Sequence, residues 1–288
     1  MLKQIEEYLN NVKMDKSPQT VAQYTISISK LSDFFELESF ETLKNLTLSD
    51  CRKYQTFLSQ SGIKKSSVNA YIRPLKAMFT WFVDNEYLDN SPFDKIKSLK
   101  TPKSMPVFLT HEEISAMFGA CKTLTDKLIF GLLVTTGLRR GELTNLKIDD
   151  IDGQHILPMG KGDKSRRLIL QPEIDDLLCE YLEYRKENNI NSEYLLISKT
   201  GNKFSGEAIR QKIQSIGKRA GIPEQRLSTI HPHSLRHSYA ANMLESGADI
   251  KVLQVGLGHA SMNTTSEIYA HVRDTVLDDA MLNMRSIV

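Results

Sequence analysis

The stretch that decides the fold spans residues 128–143 and reads LIFGLLVTTGLRRGEL. Its first part, Leu128 to Val134, contains only apolar residues and glycine, which predicts a helix buried on all sides. The run is far shorter than the roughly 20 residues that a membrane span needs. The helix is expected to end at Gly137, because glycine readily adopts the left-handed conformation found at helix ends. Arg139 then projects from a rigid corner, and Glu142 can support it by an ion pair, although such pairs are also ordinary on surfaces.

A short β-sheet is expected downstream of this corner. Residues 155–170 read HILPMGKGDKSRRLIL, two apolar runs around a turn rich in glycine and lysine. This pattern predicts a β-hairpin with Lys161 at its tip, where glycines keep the backbone thin. Tyr194 to Ser198 is a candidate for a third strand. Taken alone, the hairpin is weak evidence of function, since most turns of this kind are solvent-exposed and inert.

Two later motifs carry groups that can hold or move protons. A helix beginning near Ser234 places His233 and Arg236 on the same side, one turn apart. His259 lies in a break after the next helix, and Tyr269 follows ten residues later on a further helix. Each motif by itself also has a structural interpretation, as an exposed histidine or as a tyrosine of the core.

The N-terminal region, residues 1–97, has a helical pattern with short interruptions. Apolar residues recur at helical spacing in two early segments, and a turn is expected near Leu46. Ser49 or Asp50 is a candidate cap for the third helix, and Ser66 is a candidate cap for the fourth. We therefore expect a compact bundle of four helices.

A linker and a second domain follow the bundle. Residues 98–108 are basic and contain prolines, which block helix continuation, so they are expected to link two domains. The second domain, residues 109–288, opens with Thr110 and Glu113 at the spacing of a capping box. It is expected to be mainly helical with one small antiparallel sheet. Helices are predicted at about 205–220, 234–246, 249–257 and 264–272, with an amphipathic tail from Val276 to Met284.

Composition limits the class of protein. The formal net charge is +2, so a nucleic-acid surface would have to come from local clusters of lysine and arginine. Three cysteines lie far apart with no CxxC spacing, which argues against disulfides and structural zinc and favours the reducing cytoplasm. The N-terminus lacks the apolar core of a signal peptide. We expect a cytoplasmic protein with no membrane segment.

Taken together, the motifs resemble the tyrosine recombinase or phage integrase family in order and spacing. The matching residues are Arg139 in TGLRRGEL, Lys161 in GKGDK, HSLRH at 233–237, LGH at 257–259, and Tyr269. The N-terminal half looks like the core-binding, SAM-like domain of that family, through SPQTV at 17–21 and FTWF at 79–82. The two-domain plan is similar to Xer-type site-specific recombinases, although phage, transposon and integron enzymes share it.

The resemblance implies a catalytic set of six residues: Arg139, Lys161, His233, Arg236, His259 and Tyr269. Arginine forks bind phosphate oxygens and stay charged, so the two arginines would clamp the scissile phosphate, with His259 as a further donor. Tyrosine has an ordinary pKa of about 10 and needs help to ionise. His233 is the expected base, Tyr269 would form a 3′-phosphotyrosine link, and Lys161 would protonate the departing 5′-oxygen. No carboxylate cluster suited to Mg²⁺ accompanies the set, so no cofactor is expected.

DNA contacts are predicted from clustered basic residues on the two domains and the linker. The candidates are Lys64, Lys65, Arg73, Lys76, Lys100, Lys103, Arg210 and Lys212. A solvated basic face is the alternative interpretation for the last two.

The expected partners are double-stranded DNA and further copies of the chain. Members of the resembled family commonly dock a C-terminal helix into a neighbouring protomer, which implies a tetramer on two paired sites with tails exchanged in trans. Packing of the tail on its own domain is the alternative. An accessory protein or a second recombinase is a further possible partner. The rival functions are a type IB topoisomerase and a DNA-binding protein without catalysis. The sequence leaves open the target site, and whether the role is chromosome dimer resolution, integration or excision.

Overall fold

A computed structural model describes residues 2–102, 106–160, 165–198 and 201–257. The chain divides into two compact units, Met1–Lys103 and Ser104–Val288. Both units are mainly helical, and the second also contains a small sheet. Within the described residues, every helix is too short or too polar to cross a bilayer.

The first unit contains the four predicted helices and one short helix that was not predicted. The helices are α1 (Lys3–Asp15), α2 (Pro18–Phe35), the short α3 (Phe40–Lys44), α4 (Leu48–Gln60) and α5 (Lys65–Asp84). Their apolar faces meet in an aromatic core. Phe82 of α5 is fully buried and contacts the rings of Tyr8 and Phe79.

Two of the predicted helix starts in this unit were wrong. Thr47 caps α4: its side chain accepts from the Asp50 backbone, and Asp50 accepts from the Thr47 backbone at 3.1 Å. Asp50 therefore completes a capping box rather than serving as the cap, because its carboxylate reaches back over the first turn. Ser66 lies inside α5, whose cap position is Lys64 and has no side-chain capping bond.

The end of the first unit is fixed by side chains of α4 and α5. The Asn69 amide donates to the Leu99 carbonyl at 2.9 Å and accepts from the Leu99 backbone N–H at 2.8 Å. Gln55 donates to the Lys97 carbonyl at 2.9 Å. The chain is thus held to the bundle as far as Leu99, inside the segment predicted as a linker.

The second unit is arranged around one buried helix. Its helices are α6 (His111–Gly119), α7 (Leu124–Thr136), α8 (Arg140–Asn145), α9 (Pro172–Glu187), α10 (Gly206–Arg219), α11 (Glu224–Leu227), α12 (Pro232–Glu245) and α13 (Ile250–Leu257). Residues 128–130, 132 and 133 of α7 are fully buried, as predicted. Helices α9 and α12 pack against α7, and a Cβ at Gly131 would lie 2.6 Å from the Ile174 Cδ1 atom. The predicted capping box of Thr110 and Glu113 is present at the start of α6.

The sheet has three short antiparallel strands, β1 (Ile151–Asp152), β2 (His155–Ile156) and β3 (Leu168–Ile169), in that order. Strands β2 and β3 confirm the predicted hairpin, with Ile156 opposite Leu168. The base of its turn is closed by a bridge between Met159 and Ser165. Lys161, predicted at the tip of the hairpin, lies outside the described residues.

The strand predicted at Tyr194 to Ser198 was wrong. Tyr194 and Ile197 make only isolated bridges, to Lys147 and Lys203. The buried guanidinium of Arg185 donates to the carbonyls of Ser192, Tyr194 and Leu195 at 2.7–2.9 Å. Arg185 therefore holds the backbone of this segment, which pairs with its neighbours only at single bridges. The predicted helix at 264–272 and the amphipathic tail from Val276 lie outside the described residues.

Candidate active site

The corner between α7 and α8 is built as the sequence predicts. Gly137 ends α7 with a φ of 62°, and a Cβ at this position would overlap the ring of Tyr239. Arg139 is the N-cap residue of α8, two residues after Gly137. Its backbone N–H donates to Glu142 at 2.8 Å, and its guanidinium donates to the same carboxylate at 2.6 Å. The predicted ion pair between Arg139 and Glu142 is therefore confirmed.

Glu142 is a buried carboxylate shared by two arginines. Its exposed fraction is 6%. The guanidinium of Arg166 donates to both of its oxygens, at 3.0 and 2.8 Å, and the guanidinium of Arg139 donates to one of them, Oε1. Burial on its own raises the pKa of Glu142, but hydrogen bonds from Arg166 and the Arg139 backbone outweigh it and lower the pKa to about 2. Glu142 is therefore ionised at neutral pH.

Arg236 lies in α12 and is held by two backbone carbonyls. It is 4% exposed, and it donates to Gly137 at 2.5 Å and to Leu257 at 2.6 Å. Burial and the nearby charge of Arg139 lower the pKa of Arg236 to about 9. The group still carries its positive charge at neutral pH. Two of its N–H groups fix its position, and the guanidinium fork has further N–H groups for a ligand.

His233 lies in the first turn of α12, which begins at Pro232 rather than near Ser234. The helix starts earlier because His231 caps it: its Nδ1 atom accepts from the Ser234 backbone at 3.2 Å. The side chain of His233 is exposed. The imidazole is nevertheless partly shielded from water by its neighbours, and this desolvation is the main cause that lowers the pKa of His233. The positive charges of His231 and Arg236 are further causes. The lowered pKa favours the neutral imidazole, the form that can accept a proton.

The neighbouring His237 has no role in the predicted set. It is half-buried, and burial together with the adjacent histidines lowers its pKa to about 4.

Among the described residues, no group of three or more His, Cys, Asp or Glu side chains could hold a metal ion.

Arg236 lies at the same corner as Arg139, because it donates to the carbonyl of Gly137, and His233 lies one turn before Arg236 on α12. Burial is the main cause that lowers the pKa of Arg236 and of His233, and the positive charge of Arg139 is a further cause for both. The other predicted catalytic residues are Lys161, His259 and Tyr269, and all three lie outside the described residues.

The candidate DNA contacts fall into two groups. In the first unit, Lys64, Lys65, Arg73 and Lys100 are exposed and Lys76 is half-buried. In the second unit both candidates are already paired: Arg210 with Glu207 and Lys212 with Asp126, each at 2.6 Å. A phosphate would have to compete with these carboxylates. Lys103 lies outside the described residues.

Sequence reasoning missed the role of Arg166. Its Nε atom donates to the Gly256 carbonyl at 2.7 Å, in addition to its two bonds to Glu142. The alternating pattern of a β-strand could have predicted that Arg166 faces inward, because alternate residues of a strand lie on the same face. Arg166 has the same parity as Leu168 and Leu170, both of which are buried. Its neighbour Arg167 has the opposite parity and is exposed.

Comparison with known proteins gives two family matches that together cover nearly the whole chain. The phage integrase family matches residues 107–275, and the phage integrase SAM-like domain matches residues 1–98. The tyrosine recombinase XerA of Pyrococcus horikoshii is 37% identical over 284 residues, covering 96% of this chain and 92% of the relative. Tyrosine recombinase XerC of Staphylococcus aureus (strain MSSA476) is 32% identical over 290 residues, covering 96% and 95%.

Solved structures show the same fold. The crystal structure of XerA recombinase covers 99% of both chains at 29% identity, with a TM-score of 0.57. The XerH site-specific recombinase bound to a palindromic difH substrate has a TM-score of 0.74 at 24% identity. That likeness covers 93% of this chain and 80% of the other, and it bears on the fold alone.

Proposed function

The chain belongs to the phage integrase family and is a tyrosine recombinase, an enzyme that cleaves and rejoins DNA, and we propose that it works through a covalent link between Tyr269 and a DNA phosphate. The observation that carries this proposal is the fixed pair of guanidinium groups at the α7–α8 corner. Arg139 is held by Glu142, and Arg236 is held by the carbonyl of Gly137, two residues before Arg139. A phosphodiester binds between such groups because arginine forks match phosphate oxygens.

The first chemical step exchanges one phosphate ester for another. The phenolic oxygen of Tyr269 bonds to phosphorus while the bond from phosphorus to the 5′-oxygen breaks. His233 accepts the phenolic proton, and Lys161 gives a proton to the departing 5′-oxygen. Arg139, Arg236 and His259 stabilise the charge that develops on the non-bridging oxygens.

The second step reverses the first with a different strand. A 5′-hydroxyl attacks the 3′-phosphotyrosine, the phosphate is rejoined to DNA, and Tyr269 is released. The number of phosphate ester bonds is unchanged, so no ATP is required. Two arginines fixed before substrate arrives suit such a reaction, because their orientation costs nothing when charge develops.

The proposed biological reaction is Xer-type recombination between two DNA sites in the cytoplasm. The assembly would be a tetramer on two paired sites, with C-terminal tails exchanged between protomers. The relatives named XerA and XerC support this class of reaction. Chromosome dimer resolution and integration or excision both agree with the two-unit plan.

Trapping of the covalent complex tests the mechanism. The full chain is incubated with sheared genomic DNA of its source cell, denatured with detergent, and the attached DNA is sequenced. The wild-type chain should retain DNA of one recurring sequence, which can be synthesised and is called the trapped duplex below. Tyr269→Phe should bind that duplex but form no covalent complex. Covalent attachment by Tyr269→Phe would show that the nucleophile is assigned wrongly.

A matched control is Tyr184→Phe, which removes an exposed phenolic hydroxyl from the same unit and should leave covalent attachment unchanged.

A second assay separates recombination from relaxation. A plasmid with two copies of the trapped duplex should undergo deletion or inversion between them. Relaxation of plasmids that lack the site, with no deletion or inversion, would instead identify a topoisomerase.

A further inference from the structure

Arg166 closes a ring of contacts that joins the two active-site arginines. Starting at Arg139, the ring passes through Glu142 to Arg166, and from Arg166 to the Gly256 carbonyl. The next carbonyl, that of Leu257, accepts from Arg236. Arg236 also donates to Gly137, and the backbone leads from there back to Arg139. The ring therefore connects α7, α8, α12, α13 and the hairpin.

The end of α13 needs such partners. The last carbonyls of a helix receive no hydrogen bond from within the helix, and they form the negative end of the helix dipole. Arg166 and Arg236 supply cationic donors to two successive carbonyls at this end, Gly256 and Leu257. The position of α13 relative to the arginine corner thus depends on both guanidinium groups.

The contacts of Arg166 differ from those of an ordinary surface salt bridge. Its side chain is 10% exposed, and the Glu142 side chain that it grips is 5% exposed. It uses three separate N–H groups: two on the carboxylate and Nε on the carbonyl. A lysine has a single point charge on a flexible stem and cannot reproduce this planar fork.

We propose that Arg166 is a positioning residue for phosphate cleavage, which holds Glu142 and the end of α13 so that Arg139 and Arg236 keep a fixed separation. It does not touch the phosphate. It acts through Glu142 on Arg139 and through α13 on Arg236. This proposal rests on the proposed function, and it adds a residue from the hairpin to the support of the arginine clamp.

Arg166→Lys tests the proposal in the full chain with the trapped duplex. Duplex affinity should stay within about threefold of wild type, because the clamp residues remain. The single-turnover rate of covalent attachment should fall about a hundredfold, the usual effect of a misplacement of about 1 Å in an active site. Arg167→Lys is the matched control. Arg167 is the exposed neighbour, pairing with Asp152 at 3.7 Å, and its replacement should leave the rate unchanged.

A neutral substrate separates positioning of the clamp from general loss of structure. In a duplex with a methylphosphonate at the cleaved position, a methyl group replaces one charged oxygen, so the reaction needs less help from the arginines. The deficit of Arg166→Lys should then shrink to about tenfold or less. A deficit of equal size on both duplexes, or no deficit on the ordinary one, would overturn the proposal.

Hydrogen exchange provides a readout that requires no DNA. In Arg166→Lys, amides near the end of α13 should exchange faster while those of α9 stay protected. If the whole second unit loses protection, Arg166 serves stability instead and the proposal is wrong. Failure of the wild-type chain to form a covalent complex with any DNA in the trapping experiment would contradict the proposed function itself, whatever the exchange result.

Discussion

The interiors of the two units are built from different kinds of side chain. In the first unit, the buried polar residues within the described range are two serines, Ser27 and Ser91, and the rest of the core is apolar and aromatic. The second unit contains every buried charged residue that the described part of the chain holds. These residues are Asp126, Glu142, Arg185 and Arg236.

This difference shows that buried charge alone does not mark an active site. Asp126 pairs with Lys212 at 2.6 Å and with Arg219 at 3.0 Å, and Arg185 binds carbonyls of its own unit. Asp126 and Arg185 therefore both serve the structure of the second unit. Arg236 also binds carbonyls, but its pKa is lowered by burial and then by the like charge of Arg139. Two positive charges that lie close together lower the stability of a fold, but together they attract and bind an anionic substrate.

The largest expected loss of stability comes from the aromatic core of the first unit. Phe82→Ala should lower the free energy of unfolding by about 3–5 kcal/mol, because a buried ring is replaced by a cavity. Trp81 is the only tryptophan of the chain and belongs to this unit, so its fluorescence during urea denaturation reports the change. Phe57→Ala, at a half-exposed ring, should cost far less. Equal losses would contradict the assignment of the core.

Glu142→Gln should destabilise the second unit by about 3 kcal/mol at neutral pH, because it leaves two guanidinium groups without their carboxylate. The pKa of Glu142 is lowered to about 2 from an ordinary value near 4.5. The stability that it contributes is complete above pH 4.5 and is lost as the pH falls toward 2. The gap between wild type and Glu142→Gln in hydrogen exchange of α7 should therefore close in acid.

Glu207→Gln provides the contrast for that experiment. Glu207 and Arg210 form an exposed pair whose attraction is screened by water, so this change should leave the stability of the second unit close to that of the wild type. A wild-type chain that kept its full advantage over Glu142→Gln at pH 3 would show that the carboxylate is not held ionised.

Arg236→Lys should slow covalent attachment about a hundredfold, since lysine cannot bind both carbonyls and still present a fork to phosphate. The matched control is Arg185→Lys, another buried arginine bound to carbonyls. It should lower stability but leave the attachment rate of the folded chain unchanged. If both variants lost the same activity, the distinction between structural and active-site arginines would fail.

The smallest effect is expected at the end of the first unit. Asn69→Ala removes both hydrogen bonds to Leu99 and should cost about 1 kcal/mol of unfolding free energy, again followed at Trp81. Asn85→Ala is the comparison, since that exposed amide bonds only a carbonyl of its own helix. An equal or smaller loss for Asn69→Ala would mean that the segment after Ile96 is not part of the unit.

Local sequence patterns predicted much of the fold. Helical periodicity indicated the long helices of the first unit, and the apolar run at 128–134 indicated the buried α7. The short α3 was missed because five residues are too few to show a period. The strand at Tyr194 to Ser198 was predicted wrongly, because the apolar pattern does not reveal that Arg185 binds the backbone of this segment.

The candidate site was predictable where a motif carries the whole geometry. Gly137, Arg139 and Glu142 lie within six residues, so helix-end rules alone place them together. Arg166 and Gly256 are 90 residues apart, and no spacing rule connects them. The DNA contact predicted at Lys212 shows the same limit, because its partner Asp126 lies 86 residues away.

The central claim is that one phenolic oxygen becomes bonded to DNA. The most direct measurement is mass spectrometry of the covalent complex after digestion with protease and nuclease. The account predicts a single nucleotide-bearing peptide, with the added mass on Tyr269 and the link at the 3′-phosphate. A nucleotide attached to any other residue, or through a 5′-phosphate, would contradict it.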